Sequence, residues 1–145
     1  MSLKSTLRPS SFTCVYSPAA GHGPDLMEEL SQLSSSGAKK LHVQGHTCET
    51  PDDIERMLEV HTEFKTYGEM YKAHGLMHEK SIMAHCIHLT KTDMGILKET
   101  KAGIAHNPNS NTCLRDGMCR VRELLNRGIN VGLEQISRRG IRRSC

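Results

Sequence analysis

The chain has 145 residues, enough for one ordinary domain, with 24% charged residues and a mean hydropathy of -0.47, the balance of a globular protein. No run approaches the ~18 consecutive apolar residues of a membrane span, so no membrane partner is expected. The net charge of +3 sits in the last twelve residues, where Arg138, Arg139, Arg142 and Arg143 outweigh Glu134; the rest of the chain is neutral and poor in aromatics, which argues against a nucleic-acid partner.

In chain order, residues 1–23 read as a divergent, poorly ordered N-terminal segment, basic and Ser-rich over Met1 to Ser11. Pro24 to Ser36 reads as a helix, with Leu26, Met27, Leu30 and Leu33 at helical spacing and acids in the first turn. Leu41 to Gln44 alternates as a short strand. Thr50-Pro51-Asp52-Asp53 opens a second helix that carries Ile54, Met57, Leu58 and Val60. Phe64 to Ala73 is a third helix, stopped by His74-Gly75. Ser81 to His85 is a buried strand. Thr90 caps a helix to Glu99 with Met94, Ile96 and Leu97 inward. Gly103 to His106 is a strand, and Asn107 to Asn111 a polar turn. Asp116 to Arg127 is a helix with Met118, Val121, Leu124 and Leu125 inward, ended by Gly128. Asn130 to Leu133 is the fourth strand, and residues 134–145 form a divergent basic tail. Helices alternating with short buried strands indicate a parallel α/β fold. Four such strands make either a small open sheet or half of an eight-stranded barrel.

Six cysteines without a C-x-x-C pair, in a chain with no export leader, read as reduced thiols, and the expected location is the cytoplasm. Nine histidines are the unusual feature. His46, His85 and His106 each fall at the carboxyl end of a strand, the edge that carries chemistry in parallel α/β folds. They are either a metal or proton-transfer site or three hydrogen-bonded core groups. Glu49 follows His46 by three residues, where a carboxylate could move the proton of an activated water. His42 could support His46 from the same strand face, and His88 lines the site at most. The amides of the Asn107 to Asn111 turn could bind a polar small molecule.

The segments LHVQGHTCET, IMAHCIHLT, AGIAHNPNSN and LRDGMCRVRELLNRGINVGL resemble consecutive stretches of guanine deaminase, in the amidohydrolase superfamily, over residues 24–133. The resemblance implies a partial (β/α)8 TIM-like barrel, roughly strands five to eight with their helices. It implies a zinc cofactor and a hydrolase that turns guanine and water into xanthine and ammonia. His46 matches the strand-five zinc ligand, His85 the strand-six ligand, and Glu49 the catalytic proton shuttle. Gln44, His106, Asn109, Ser110 and Asn111 match positions that line the purine or support the ligands.

The departures are informative too. The family's first-strand H-x-H pair is absent. Glu134 stands where the strand-eight aspartate is expected, and the Arg-Phe pair that holds the purine is missing near Ser17-Pro18. A truncated form with an incomplete metal site is therefore expected, marginally stable and nearly inactive alone. The alternative is a non-catalytic fragment that associates with or modulates a full-length deaminase; a homo-oligomer is also compatible.

Overall fold

A computed structural model describes residues 12–14, 24–35 and 40–134. In chain order they form β1 (Phe12–Cys14), α1 (Pro24–Ser35), β2 (His42–Thr47), α2 (Pro51–Val60), α3 (Tyr67–Ala73), β3 (Ser81–His85), α4 (Lys91–Thr100), β4 (Gly103–His106), α5 (Pro108–Leu114), α6 (Val121–Asn126) and β5 (Val131–Leu133). The five strands make one sheet in the order β1-β2-β3-β4-β5, and every neighbouring pair is parallel. Parallel strands in sequential order call for crossovers of one hand, which place the connecting helices on one face of the sheet. No described element covers the other face.

The burial pattern records this one-sidedness. In β2, Val43, Gly45 and Thr47 are buried, whereas His42 and His46 are exposed and Gln44 half-buried. Val43, Met83 and Ile104 project from the covered face into a core with Met57 of α2, Tyr67, Met70 and Tyr71 of α3, Met94 and Leu97 of α4, and Leu124 of α6. Met57, Met70 and Met83 are fully buried. In a chain without Trp, unbranched thioethers fill the irregular gaps that larger rings fill elsewhere. At the β5 end of the sheet a depression of about 510 Å³ is lined by Ile82, Gly103, Ala105 and Gly132 together with Leu125, Ile129 and Leu133. A parallel sheet is normally covered on both faces; the described residues cover one.

Three threonines set the helix starts. Thr50 accepts from Asp53 N at 3.1 Å and Thr66 from Glu69 N at 3.2 Å, each satisfying an otherwise orphaned donor of the first turn. Thr90 and Asp93 exchange bonds as a capping box at the start of α4. Asp93 is buried and also accepts from Gly68 N at 2.8 Å, which ties α4 to α3. A Cβ on Gly68 would lie 2.9 Å from Asp93 Oδ1, so the close approach needs glycine.

Several sequence expectations are corrected. The sheet has five strands among the described residues, because Phe12–Cys14 pairs with β2; its three residues carry too little periodicity to be read. Strand β2 runs on to Thr47. Pro108–Leu114 is a helix where a polar turn was expected, since Pro at the first helical position starts a helix as readily as it breaks a chain. The last helix is only Val121–Asn126. Met118 precedes it and is 87% exposed, and Leu125 faces out at 54%, so neither is inward. The expected segment Met1 to Ser11, the position near Ser17-Pro18 and the Arg-rich tail lie outside the described residues. No helix among the described residues is long and apolar enough to cross a membrane.

Candidate functional site

The carboxyl ends of β2 and β3 meet in a shared kink. The register pairs His46 with Ala84 and Thr47 with His85. Thr47 turns towards the core, where its hydroxyl donates to Met83 Sδ at 3.4 Å. Strict alternation would send His85 to that same covered face. It does not go there. His85 has φ +69° and Cys86 φ +52°, and Cys48 at the matching end of β2 has φ +52°. These left-handed residues break the alternation and swing the His85 ring over the sheet edge. It stacks on His46 with ring centroids 5.1 Å apart and planes at 24°.

Left-handed geometry at a non-glycine residue costs about 1–3 kcal/mol and collects where a site demands it. Here backbone bonds hold it: Cys86 N donates to Thr47 O at 3.0 Å, and Ile87 N and His88 N both donate to Cys48 O, at 3.1 and 3.0 Å. Burial pushes the Cys48 and Cys86 thiols up, with nearby acids and thiols adding to the effect. Both cysteines are free and behave as small apolar groups of the kink rather than as nucleophiles.

Glu49 completes the cluster. Its Oε1 lies 3.4 Å from His85 Nε2, with side-chain exposures of 24% for Glu49 and 4% for His85. On the other side of the ring, His85 Nδ1 meets Asn111 Oδ1 at 2.9 Å. An amide oxygen only accepts, so Nδ1 donates to it, which leaves Nε2 facing the Glu49 carboxylate. A ring nitrogen facing a carboxylate oxygen calls for a proton or a metal cation between them.

The structure thus brings His46, His85, Glu49 and Asn111 together. Asn111 is buried on α5 and acts on His85, not as part of a flexible turn. Gln44 sits on the open face of β2, two residues before His46. His106 ends β4, and its carbonyl accepts from Glu134 N at 2.9 Å. Asn109 is exposed and Ser110 half-buried on α5. Among the described residues no hydrogen bond or ion pair joins Gln44, His106, Asn109 or Ser110 to these four side chains, and no set of three His, Cys, Asp or Glu side chains is placed to hold a metal ion. His88 binds Asp116 O through Nε2 at 2.9 Å and so braces the loop after β3.

One contributor was not legible in the sequence. Tyr71, fully buried on α3, donates its hydroxyl to His46 O at 3.1 Å. Burial pushes its phenol up, with the neighbouring Asp53 adding to it, so it stays a donor. Nothing local in the sequence joins positions 71 and 46.

The model of the amidohydrolase family matches residues 16–134. The chain belongs to the amidohydrolase family. A probable guanine deaminase of Schizosaccharomyces pombe is 38% identical over 112 residues, which cover 76% of this chain and 21% of that protein. The solved guanine deaminase of C. acetobutylicum, with guanine bound in its active site, superposes with a TM-score of 0.71 at 40% identity, covering 75% of this chain and 26% of that one. An adenosine deaminase of Xanthomonas campestris with bound zinc has a TM-score of 0.71 at 21% identity, over 83% of this chain and 26% of that one, and shows the shared fold. The chain spans about a quarter of the length of these relatives.

Proposed function

We propose that this amidohydrolase chain carries part of the active site of a guanine-deaminase-type aminohydrolase, with β2 to β5 corresponding to strands five to eight of a barrel. The observation that carries the reading is the ring of His85, fixed through Nδ1 by Asn111 and facing Glu49 through Nε2 at 3.4 Å. A metal-ligating histidine is characteristically oriented in this way, its second nitrogen held by an oxygen acceptor. The guanine deaminases among the relatives supply the purine substrate, and the zinc-bound adenosine deaminase the metal.

The donor set fits zinc in kind: His46 and His85 supply two imidazoles on adjacent strand ends. A catalytic zinc ordinarily takes a third protein ligand, and the described residues hold none in place. Zinc, when bound, supplies the Lewis acidity that makes water nucleophilic near neutral pH. Glu49 does the proton work. Its carboxylate, 24% exposed, receives the proton of the attacking water and returns it to the departing amine, so that guanine and water leave as xanthine and ammonia. Tyr71 and Asn111 position His46 and His85. Gln44, His106, Asn109 and Ser110 are assigned to the purine side of the site, which opens on the uncovered face of the sheet. The alternative, a non-catalytic fragment that modulates a full-length deaminase, has no specific observation in its favour among the described residues.

Zinc titration of the chain by calorimetry tests the ligand assignment. Saturable binding is expected, weakened at least ~10-fold by either His46→Ala or His85→Ala; binding that neither substitution changes overturns it. Ammonia release from guanine, if measurable, should vanish in Glu49→Gln, and release that persists there removes Glu49 from the mechanism.

A further inference from the structure

α2 exposes an acidic column beside an apolar groove. Asp52, Glu55 and Glu59 are exposed at helical spacing, and Arg56 is the one base of the helix. None of the three acids makes an ion pair among the described residues, and Glu55 and Glu59, four residues apart, repel each other. Next to them lies a groove of about 500 Å³ lined by Pro51, Ile54, Glu55, Leu58, Glu59 and His88. Its floor is apolar and its rim acidic, a surface that selects a segment with a few apolar side chains among several cations.

The chain itself contains such a segment. Residues 135–145 read QISRRGIRRSC, with four arginines, Ile136 and Ile141, and no acid. They lie outside the described residues. They follow Glu134, whose N–H is bonded to His106 O beyond the end of β5. Because all strands are parallel, that point is on the same edge of the sheet as Pro51 and His88, which follow the ends of β2 and β3. From β5 to β2 is three strand spacings, about 14 Å, and the helix layer lies about 10 Å further out. Eleven residues extended reach about 36 Å, so the tail spans the distance with length to spare.

We propose that residues 135–145 dock in the α2 groove, with arginines against Glu55 and Glu59 and an isoleucine over Ile54 and Leu58. This pairing accounts for the charge pattern of the chain: a neutral body with an unpaired acidic helix, and a tail carrying the excess positive charge. It also has a consequence for the site. His88 forms one wall of the groove and belongs to the loop that begins at His85, so a docked tail restrains the loop beside the candidate ligand. The inference does not depend on the deaminase reading.

Hydrogen exchange of α2, followed by mass spectrometry on the full chain, tests it. One variant reverses the tail (Arg138→Glu, Arg139→Glu, Arg142→Glu, Arg143→Glu), a second reverses the groove (Glu55→Arg, Glu59→Arg), and a third combines them. Exchange over residues 51–60 is expected to rise at least ~3-fold in each single reversal and to return towards the parent rate in the combination. It should also rise in the parent as salt screens the pairing. The tail reversal leaves every described residue intact, so its result stands even if the groove variant folds poorly. Unchanged exchange on tail reversal, or no recovery in the combination, overturns the proposal. Protection that grows with protein concentration assigns the groove to the tail of a second copy and overturns docking within one chain.

Discussion

The two halves of the molecule are built to different standards. From β2 to α4, every helix start is held by a threonine cap, Asp93 ties α4 to α3, and the largest core side chains are concentrated. From α5 to β5, the helices have seven and six residues and no side-chain cap, and Leu114, Met118, Leu125 and Leu133 are 64%, 87%, 54% and 67% exposed. The candidate ligands His46 and His85 stand in the first half. The second half contributes Asn111, which reaches back to His85. The two strained strand ends lie in the better-capped half, and the weakly packed half borders the sheet face that no described element covers.

That contrast can be broken by mutation. The two largest stability effects should come from Asp93→Ala and Met83→Ala; the first removes the acceptor of Gly68 N, Thr90 N and the Thr90 hydroxyl. Leaving buried donors unsatisfied in this way should cost about 3 kcal/mol in denaturant unfolding. Met83→Ala, at the centre of the core and the partner of Thr47, should cost about 2–5 kcal/mol by cavity formation. Asn111→Leu should cost less stability yet weaken zinc binding about 10- to 100-fold in a calorimetric titration. That split would show that Asn111 acts through His85 and not through packing.

A pH series sharpens the same comparison. Burial holds His61 and His78 below their ordinary 6.5. Their depressed folded values mean that the unfolded chain binds more protons, so the stability they contribute is present above about pH 6.5 and is lost as pH falls through the unfolded and then the folded value. His61→Phe should flatten this acid limb of a thermal-melting series. A limb that the substitution leaves untouched would place its origin elsewhere. The smallest effects belong to the second half: Met118→Ser or Leu125→Ser should change unfolding free energy by less than ~0.5 kcal/mol, and amides of α5 and α6 should exchange faster than those of β3.

Much of this was legible in residue pattern. The alternation of helix and strand, the Thr90 cap, and the strand-end positions of His46, His85 and His106 follow from local periodicity and turn chemistry, which act over a few neighbouring residues. The short β1 escaped because three residues carry no period, and the helix at Pro108 escaped because proline signals a helix start and a chain break with the same residue.

The sequence by itself determined a parallel α/β chain with histidines at its strand ends and an acid close to one of them, since these depend on spacing along the backbone. Only the tertiary structure decided that His85 leaves the covered face to stack on His46, that Asn111 holds its ring, and that Tyr71 holds the backbone of His46. Each is a contact between residues 25 or more positions apart or a reversal of φ imposed by neighbouring strands. Local propensity carries no information about either, because both arise only when the strands are laid side by side.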